Sequence, residues 1–361
     1  MGRINAKVEH NFWEGKRVFI TGHTGFKGSW LSLWLQKMGA IVKGYALEPN
    51  TTPNLFTEAQ VVEKMSSEVG DITNLQQITE SMVHFNPEVL FHMAAQPLVR
   101  LSYVDPVKTF STNVMGTVNV LEAARKCSNL KVIVSVTTDK CYENKEWVWG
   151  YREDEPMGGD DPYSSSKGCS ELVINAYRKS FFNGNGSPYL ASVRAGNVIG
   201  GGDWSEDRLI PDIIRALEKG ESVKIRNPNA VRPWQHVLEP LSGYLILAQN
   251  LHRYEVKFAE GWNFGPKEEG CKPVNWVLEK MLANWGHGTL WQTDINNHPH
   301  EANYLKLDCS KAAKYLNWEP KWNLEITLEK TVQWYKQFNL GRSMQDQCLL
   351  EIEEYQEYNN G

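Results

Sequence analysis

The stretch Val18-Phe-Ile-Thr-Gly-His-Thr-Gly-Phe-Lys-Gly-Ser-Trp30 constrains this chain more than any other. Val18 to Thr21 is short, apolar and partly β-branched, which predicts a buried strand. A turn with glycines at 22, 25 and 28 follows, and Ser29-Trp-Leu-Ser-Leu-Trp-Leu35 then opens a helix. Glycine suits a turn that needs unusual dihedrals and lets phosphates approach the backbone with no Cβ in the way. The helix start adds unpaired N–H groups and the positive end of a dipole, which favour a diphosphate. A plain strand–helix turn can look the same, so the surrounding pattern has to decide.

That pattern is regular. Ile41 to Leu47 predicts a second strand, and further apolar runs lie at 67–71, 89–93, 131–136 and 189–193. Helical periodicity occupies about 74–85, 106–127 and 163–182. Alternation at this pitch predicts an α/β fold, a doubly wound parallel sheet of Rossmann type with helices on both faces. Ligands of such sheets bind at the carboxyl ends of the strands, where the glycine turn lies. Beyond residue 195 the pattern becomes mixed, with helices expected near 207–219, 238–252, 273–285, 310–316 and 325–338. The expected organisation is a nucleotide-binding domain over 1–195 and a smaller mixed α/β lobe over 196–341, interleaved at the boundary. Residues 342–361 are rich in acidic side chains and predict a solvated tail.

Composition excludes several classes. With 361 residues, 41% of them apolar, and a formal charge of −5, nothing points to nucleic acid. No apolar run reaches membrane-spanning length, and the first ten residues lack a signal-peptide core. Cysteines at 127, 141, 169, 271, 309 and 348 form no Cys-x-x-Cys pair, which fits reduced thiols in the cytoplasm. No metal site is expected: His298-Pro-His300-Glu301 lacks a distant third ligand.

Tyr163-Ser-Ser-Ser-Lys167 follows Asp161-Pro162 at a predicted helix start. Residues four apart share a helix face, and the ammonium can lower the phenol's pKa from about 10, making a base for a hydroxyl proton. Val136-Thr-Thr-Asp-Lys140 ends the fifth strand, close in the topology.

Gly22-x-x-Gly25-x-x-Gly28, Asn113-x-x-Gly116-Thr117 and Tyr163-x-x-x-Lys167, in that order, resemble the extended short-chain dehydrogenase/reductases over about residues 16–338. The resemblance implies a bound NAD(P) and a C-terminal lobe for a nucleotide-sugar. Thr138-Asp139 is similar to the 4,6-dehydratases of that family, whereas epimerases usually carry no acid there. Finer segments, Arg194 to Trp204, Val231 to Glu239 and His300 to Lys311, resemble the CDP-glucose branch.

Under this resemblance Tyr163 takes the C4 hydroxyl proton, Lys167 lowers its pKa and holds the ribose, and Thr138 bonds the C4 oxygen. Asp139 is the acid for the C6 hydroxyl, with a helix or turn cap as the lesser alternative for the residue taken alone. Most 4,6-dehydratases carry glutamate next as the C5 base. Lys140 stands there instead, as in the CDP-glucose branch, and leaves the base open. The cofactor contacts implied are Gly22, Thr24, Gly25, Phe26, Lys27, Gly28, Asp71, Ile72, Ala94, Asn113, Tyr163 and Lys167. The second strand ends in Tyr45-Ala-Leu-Glu-Pro49 with no arginine pair for a 2′-phosphate, which favours NAD. Arg208 and Arg232 are expected at the substrate diphosphate, where a guanidinium forks onto phosphate oxygens, with Asn197 and His300 beside them. The family also implies a homodimer or homotetramer, paired through helices 106–127 and 163–182, and a role in deoxy-sugar biosynthesis for surface polysaccharide.

Overall fold

The computed structural model describes residues 7–184, 186–286, 291–294 and 304–358. Its frame is a seven-stranded sheet: β1 (Arg17–Thr21), β2 (Ile41–Ala46), β3 (Ser66–Val69), β4 (Val89–His92), β5 (Val132–Val136), β6 (Tyr189–Ala195) and β7 (Gly261–Phe264). The spatial order is β7-β6-β5-β4-β1-β2-β3, and every pairing is parallel. β4 and β5 are buried throughout because helices cover both faces, so they read as unbroken apolar runs. β3, at the edge, is polar and largely exposed, which blunts that edge against pairing. The order reverses between β1 and β4, so the crevice for a ligand opens beside the end of β1.

Seven helices matter below: α1 (Phe26–Lys37), α2 (Leu75–Phe85), α3 (Gly116–Ala124), α4 (Pro162–Ser180), α5 (Leu238–Tyr254), α6 (Leu324–Asn339) and α7 (Met344–Glu357). One core cluster joins α2, α3 and α4 to one sheet face. A larger one joins α1, α5, α6 and α7 to the other face, with Trp30, Trp34, Trp262 and Trp334 inside it. The helix expected at 106–127 is interrupted: residues 111–115 form a π-type turn between Pro106–Phe110 and α3. Three short strand pairs make the smaller lobe, 198–199 with 235–236, 223–225 with 291–293, and 231–233 with 271–273. The expected boundary at 195 is crossed more deeply than the sequence suggests. α5 packs under β5 and β6, and β7 completes the sheet.

The solvated tail expected over 342–361 is corrected by the structure. α7 is capped by Ser343 and buries Met344, Cys348, Glu351, Ile352 and Tyr355. Its apolar positions recur at helical spacing but are few, so acidic residues dominated the composition. The docking is polar as well as apolar. Tyr355 Oη donates to Glu239 Oε2 at 2.6 Å, and its ring meets Trp34 and Trp322. His236 Nδ1 accepts from the Leu238 N–H, so Nε2 carries the proton and faces Glu351 Oε2 at 3.6 Å, both side chains fully buried.

Burial holds the His236 imidazole down at about 3 and the Glu351 carboxyl up at about 8. Unfolded, that carboxyl titrates near its ordinary 4.5. On Glu351 the folded chain holds a proton between these values that the unfolded chain releases, so this carboxyl's contribution to stability falls as pH rises from 4.5 toward 8. His236, kept neutral by burial, contributes in the opposite direction up to about 6.5. Glu239, raised by burial to about 7, acts in the same direction as Glu351. Glu351→Gln keeps the shape and removes one titration. Thermal unfolding should then lose less Tm between pH 5.5 and 8 in the variant than in the wild type; equal losses would refute the assignment.

Candidate active site

The glycine turn is built as a cradle. Gly22 has φ +79°, and a Cβ there would lie 2.7 Å from the Ala94 nitrogen. A Cβ on Gly28 would lie 2.1 Å from the Gly22 carbonyl oxygen. Gly25 is the N-cap of α1 and gives no side-chain cap, leaving first-turn N–H groups for an outside acceptor. This arrangement fits a dinucleotide diphosphate. Thr24 Oγ1 donates to the Leu47 carbonyl at 2.8 Å and ties the turn to the end of β2. His23 is turned inward. Its ring fills the space beside Gly44 and bonds Ser67 Oγ at 2.7 Å, and burial lowers it to about 4.

Asp71, after β3, accepts the Thr73 N–H at 2.8 Å, and buried Ile72 packs on Gly116. Both lie just after β3, at the β2–β3 side of the sheet. Asn113, only 1% exposed, spends its amide on the Gln96 N–H and carbonyl and on Ser166 Oγ, and so braces α4 from within. His92 is likewise satisfied, between Thr21 Oγ1 and Thr117 Oγ1 at 2.8 and 3.1 Å.

Thr138, Asp139, Tyr163 and Lys167 converge at the ends of β5 and α4, each less than a tenth exposed. Asp161 caps α4 through the Ser164 N–H at 2.9 Å, Pro162 stands in the first turn, and the Tyr163 N–H donates to Ser102 Oγ at 3.1 Å. Thr138 Oγ1 donates to Asp139 Oδ1 at 2.9 Å, while Asp139 Oδ2 is buried without a partner. Burial pushes the Asp139 carboxyl above the usual carboxylate range, against the pull of the Lys140 charge and the Thr138 bond. Lys140 is half-buried, with its N–H on Thr138 Oγ1 at 3.4 Å.

The expected lowering of the Tyr163 phenol by Lys167 is not what the structure gives. Burial pushes that phenol up to about 12, with the Thr138 hydroxyl and Arg208 pulling it down. Lys167 Nζ instead reaches the Val136 carbonyl at 3.4 Å, and burial brings it down to about 8. A buried phenol regains basicity only when further positive charge enters the site. One helical turn on, Glu171 takes Arg194 in a two-pronged pair at 2.9 Å on each arm and accepts from Ser192 and Thr137. Removing one partner of such a buried pair costs about 3–5 kcal/mol. The sequence reading missed this support, although Tyr163, Lys167 and Glu171 recur at every fourth position of one helix face.

Of the expected substrate residues, Arg208 pairs with Asp203 at 3.0 Å and acts electrostatically on Tyr163. Arg232 lies on the 231–233 strand and acts on Asp139. The Asn197 carbonyl accepts the Gln235 N–H at 3.1 Å and joins the two segments that carry them. His300 lies outside the described residues. Among the described residues no group of three His, Cys, Asp or Glu side chains is placed to hold a metal, and no helix is long and apolar enough to cross a membrane.

Sheets of this order, with a glycine turn at the switch point and a tyrosine–lysine pair beside it, are those of the extended short-chain dehydrogenase/reductases, and this chain is built on that plan. A family model described as GDP-mannose 4,6 dehydratase matches residues 19–331, and the chain belongs to that family. It is 58% identical to the CDP-glucose 4,6-dehydratase of Salmonella typhimurium over 96% of this chain and 98% of that protein. In fold it is similar to a dTDP-glucose 4,6-dehydratase from Streptomyces venezuelae with NAD bound, at TM-score 0.77 and 21% identity, covering 91% of this chain and 99% of that one. It is similar also to the UDP-glucose 4-epimerase of Thermus thermophilus in complex with NAD, at TM-score 0.76 and 22% identity, covering 88% and 98%.

Proposed function

We propose that this chain is an NAD-dependent hydro-lyase that converts CDP-glucose to CDP-4-keto-6-deoxyglucose. The observation that carries this reading is Asp139, a buried carboxyl with one free oxygen, held by Thr138 beside Tyr163. An epimerase has no need of an acid there, and a silent nucleotide-binding regulator has no need of the Tyr163–Lys167 pair.

NAD, when bound, supplies the acceptor for the C4 hydride and returns it to C6. The glycine turn, with Gly22, Gly25, Gly28 and the backbone of Phe26 and Lys27, holds its diphosphate, while Asp71 and Ile72 border the adenosine and Ala94 lies at the crevice floor. Tyr163 receives the C4 hydroxyl proton, with Thr138 bonding the same oxygen. Once C4 is a ketone, the C5 hydrogen is acidic and the C6 hydroxyl leaves on receiving a proton, which Asp139 holds. Lys140, next in the chain, acts on the C5 side, as a neutral base or as a charge that stabilises the enolate. Arg208, Arg232, Asn197 and His300 bind the sugar nucleotide's diphosphate and hexose.

The same reading includes a homo-oligomer in the cytoplasm. Val104, Val107, Met115 and Leu172 are 52–80% exposed on the segments around α3 and α4, which supports pairing there. Incubation with CDP-, UDP-, dTDP- and GDP-glucose tests the activity through the alkali-induced absorbance of a 4-keto-6-deoxy product. CDP-glucose is expected to be turned over and dTDP-glucose not. Comparable kcat/KM for both would remove the CDP assignment, and no product from any would remove the dehydratase.

A further inference from the structure

β6 ends at Ala195, and the chain passes through Gly196 and Asn197 into the strand pair 198–199 with 235–236. Gly196 is buried, and its φ lies outside the left-handed region, so the backbone there would accept any residue. Space is what forbids a side chain. A Cβ at this position would lie 2.6 Å from Pro233 Cγ, where two carbons ordinarily stay about 3.5–4.0 Å apart, and 3.3 Å from the Pro233 carbonyl oxygen. It would also lie 3.1 Å from Asp139 Oδ2. Gly196 therefore sits where three segments meet: the end of β5 with Thr138 and Asp139, the end of β6, and the 231–233 strand of the smaller lobe.

Asp139 Oδ1 accepts from Thr138 Oγ1 at 2.9 Å, and Oδ2, buried with no hydrogen-bond partner, is the oxygen on the Gly196 side. The segments around it are held in place. The Thr137 N–H donates to the Val193 carbonyl at 2.8 Å and ties β5 to β6. The Asn197 carbonyl accepts the Gln235 N–H at 3.1 Å, and Pro233 is paired with Cys271. A methyl group at 196 would not meet a flexible side-chain end, because the nearest atom belongs to a proline ring. Either the 231–233 strand, which carries Arg232, or the Asp139 carboxyl would have to move. We propose that Gly196 is a positioning residue for the elimination step: its missing side chain lets the smaller lobe close directly on Asp139 and fixes where the free Oδ2 meets the C6 end of the sugar. The proposal rests on the reading of Asp139 as the acid for that step. The three atoms nearest to a Cβ at 196 belong to Pro233 and Asp139, and none to Tyr163 or Lys167, which serve the oxidation at C4.

The test separates the two steps. At saturating CDP-glucose, rapid-mixing absorbance follows reduction of bound cofactor, and the release of 4-keto-6-deoxy product is timed in parallel. In Gly196→Ala the oxidation is expected at near the wild-type rate, while product release slows about 10²-fold, the cost of misplacing a reacting group by roughly 1 Å. Reduced cofactor should therefore accumulate during turnover. Combined with Asp139→Asn, the alanine should cost nothing further, because the group it displaces is already disabled. Oxidation and elimination slowed alike, or losses that multiply in the double variant, would make Gly196 a packing position and overturn the proposal. A Gly196→Ala enzyme of wild-type rate would overturn it as well. Thermal unfolding reads any stability cost separately. Gly196→Ala/Pro233→Ala removes the crowding ring atom, keeps the contact at Asp139, and gives the same comparison should the single variant not fold. An Asp139→Asn enzyme that makes product at the wild-type rate would instead remove the reading of Asp139 as the acid, and the proposal with it.

Discussion

Tyr163→Phe is expected to lower kcat by about 10²–10⁴-fold, the usual scale for loss of a positioned general base. The ring stays, and with it the packing of the α4 start. The contacts that place this residue are made by its backbone N–H to Ser102 and by the Asp161 cap, neither of which needs the phenol. Folding, cofactor affinity and KM for the sugar nucleotide should therefore change little. The phenol in the structure is held up at about 12, so it gains its proton affinity from burial and becomes a usable base when positive charge is added. Lys167, at about 8, is largely charged at neutral pH. Arg208, which pulls the phenol down, supplies part of the added charge, and a bound oxidised cofactor would supply more. Rapid-mixing absorbance isolates the first oxidation: the variant should show no fast formation of reduced cofactor. Near-wild-type turnover would take Tyr163 out of the role of base.

The parallel sheet was legible in the sequence because buried strands leave unbroken apolar runs. β4, β5 and β6 fall within a residue or two of where Val89-Leu-Phe-His-Met93 and its counterparts place them. β7 was not legible as part of that sheet. Gly261-Trp-Asn-Phe264 is short, lies beyond a long helix, and pairs with β6 only through tertiary packing. α7 was hidden for a different reason. Its buried acid, Glu351, is neutralised by burial opposite His236, and no count of formal charges anticipates that.

The candidate site residues divide in the same way. Motifs brought Thr138, Asp139, Tyr163 and Lys167 to notice, and the fold gathers them at two element ends. The hydrogen bonds of the Asn113 amide to Gln96 and Ser166, which tie its segment to α4, were not legible from its motif. The approach of the Lys27 ammonium to the Tyr244 ring, 5.9 Å from its centre, could not be read either, since Tyr244 arrives from α5, more than two hundred residues later. Spacing along a chain reports helix faces well. It does not report which element packs against that face.

Asp139→Asn should separate the two halves of the reaction. The side chain keeps its size and can still accept from Thr138 Oγ1 at the Oδ1 position, which in the wild type is a 2.9 Å bond. What it loses is the ionisable carboxyl, which burial pushes up, and with it the acid proposed for the departing C6 hydroxyl. Tyr163 and Lys167 are untouched, so oxidation at C4 should proceed. The expected result is that CDP-glucose reduces bound cofactor in the variant, which then stays reduced, while product formation falls about 10²–10³-fold, within the range for general acid catalysis. Exchange of the C5 hydrogen with solvent deuterium should continue, because forming the enolate does not need the acid. Lys140→Met provides the complementary case. Cofactor should again become reduced, but C5 exchange should stop if Lys140 works on that side. Mass spectrometry of the recovered sugar nucleotide reads both. An Asp139→Asn enzyme that releases 4-keto-6-deoxy product at the wild-type rate would return this residue to the role of a turn cap. A Lys140→Met enzyme that exchanges normally would move the C5 base to another group.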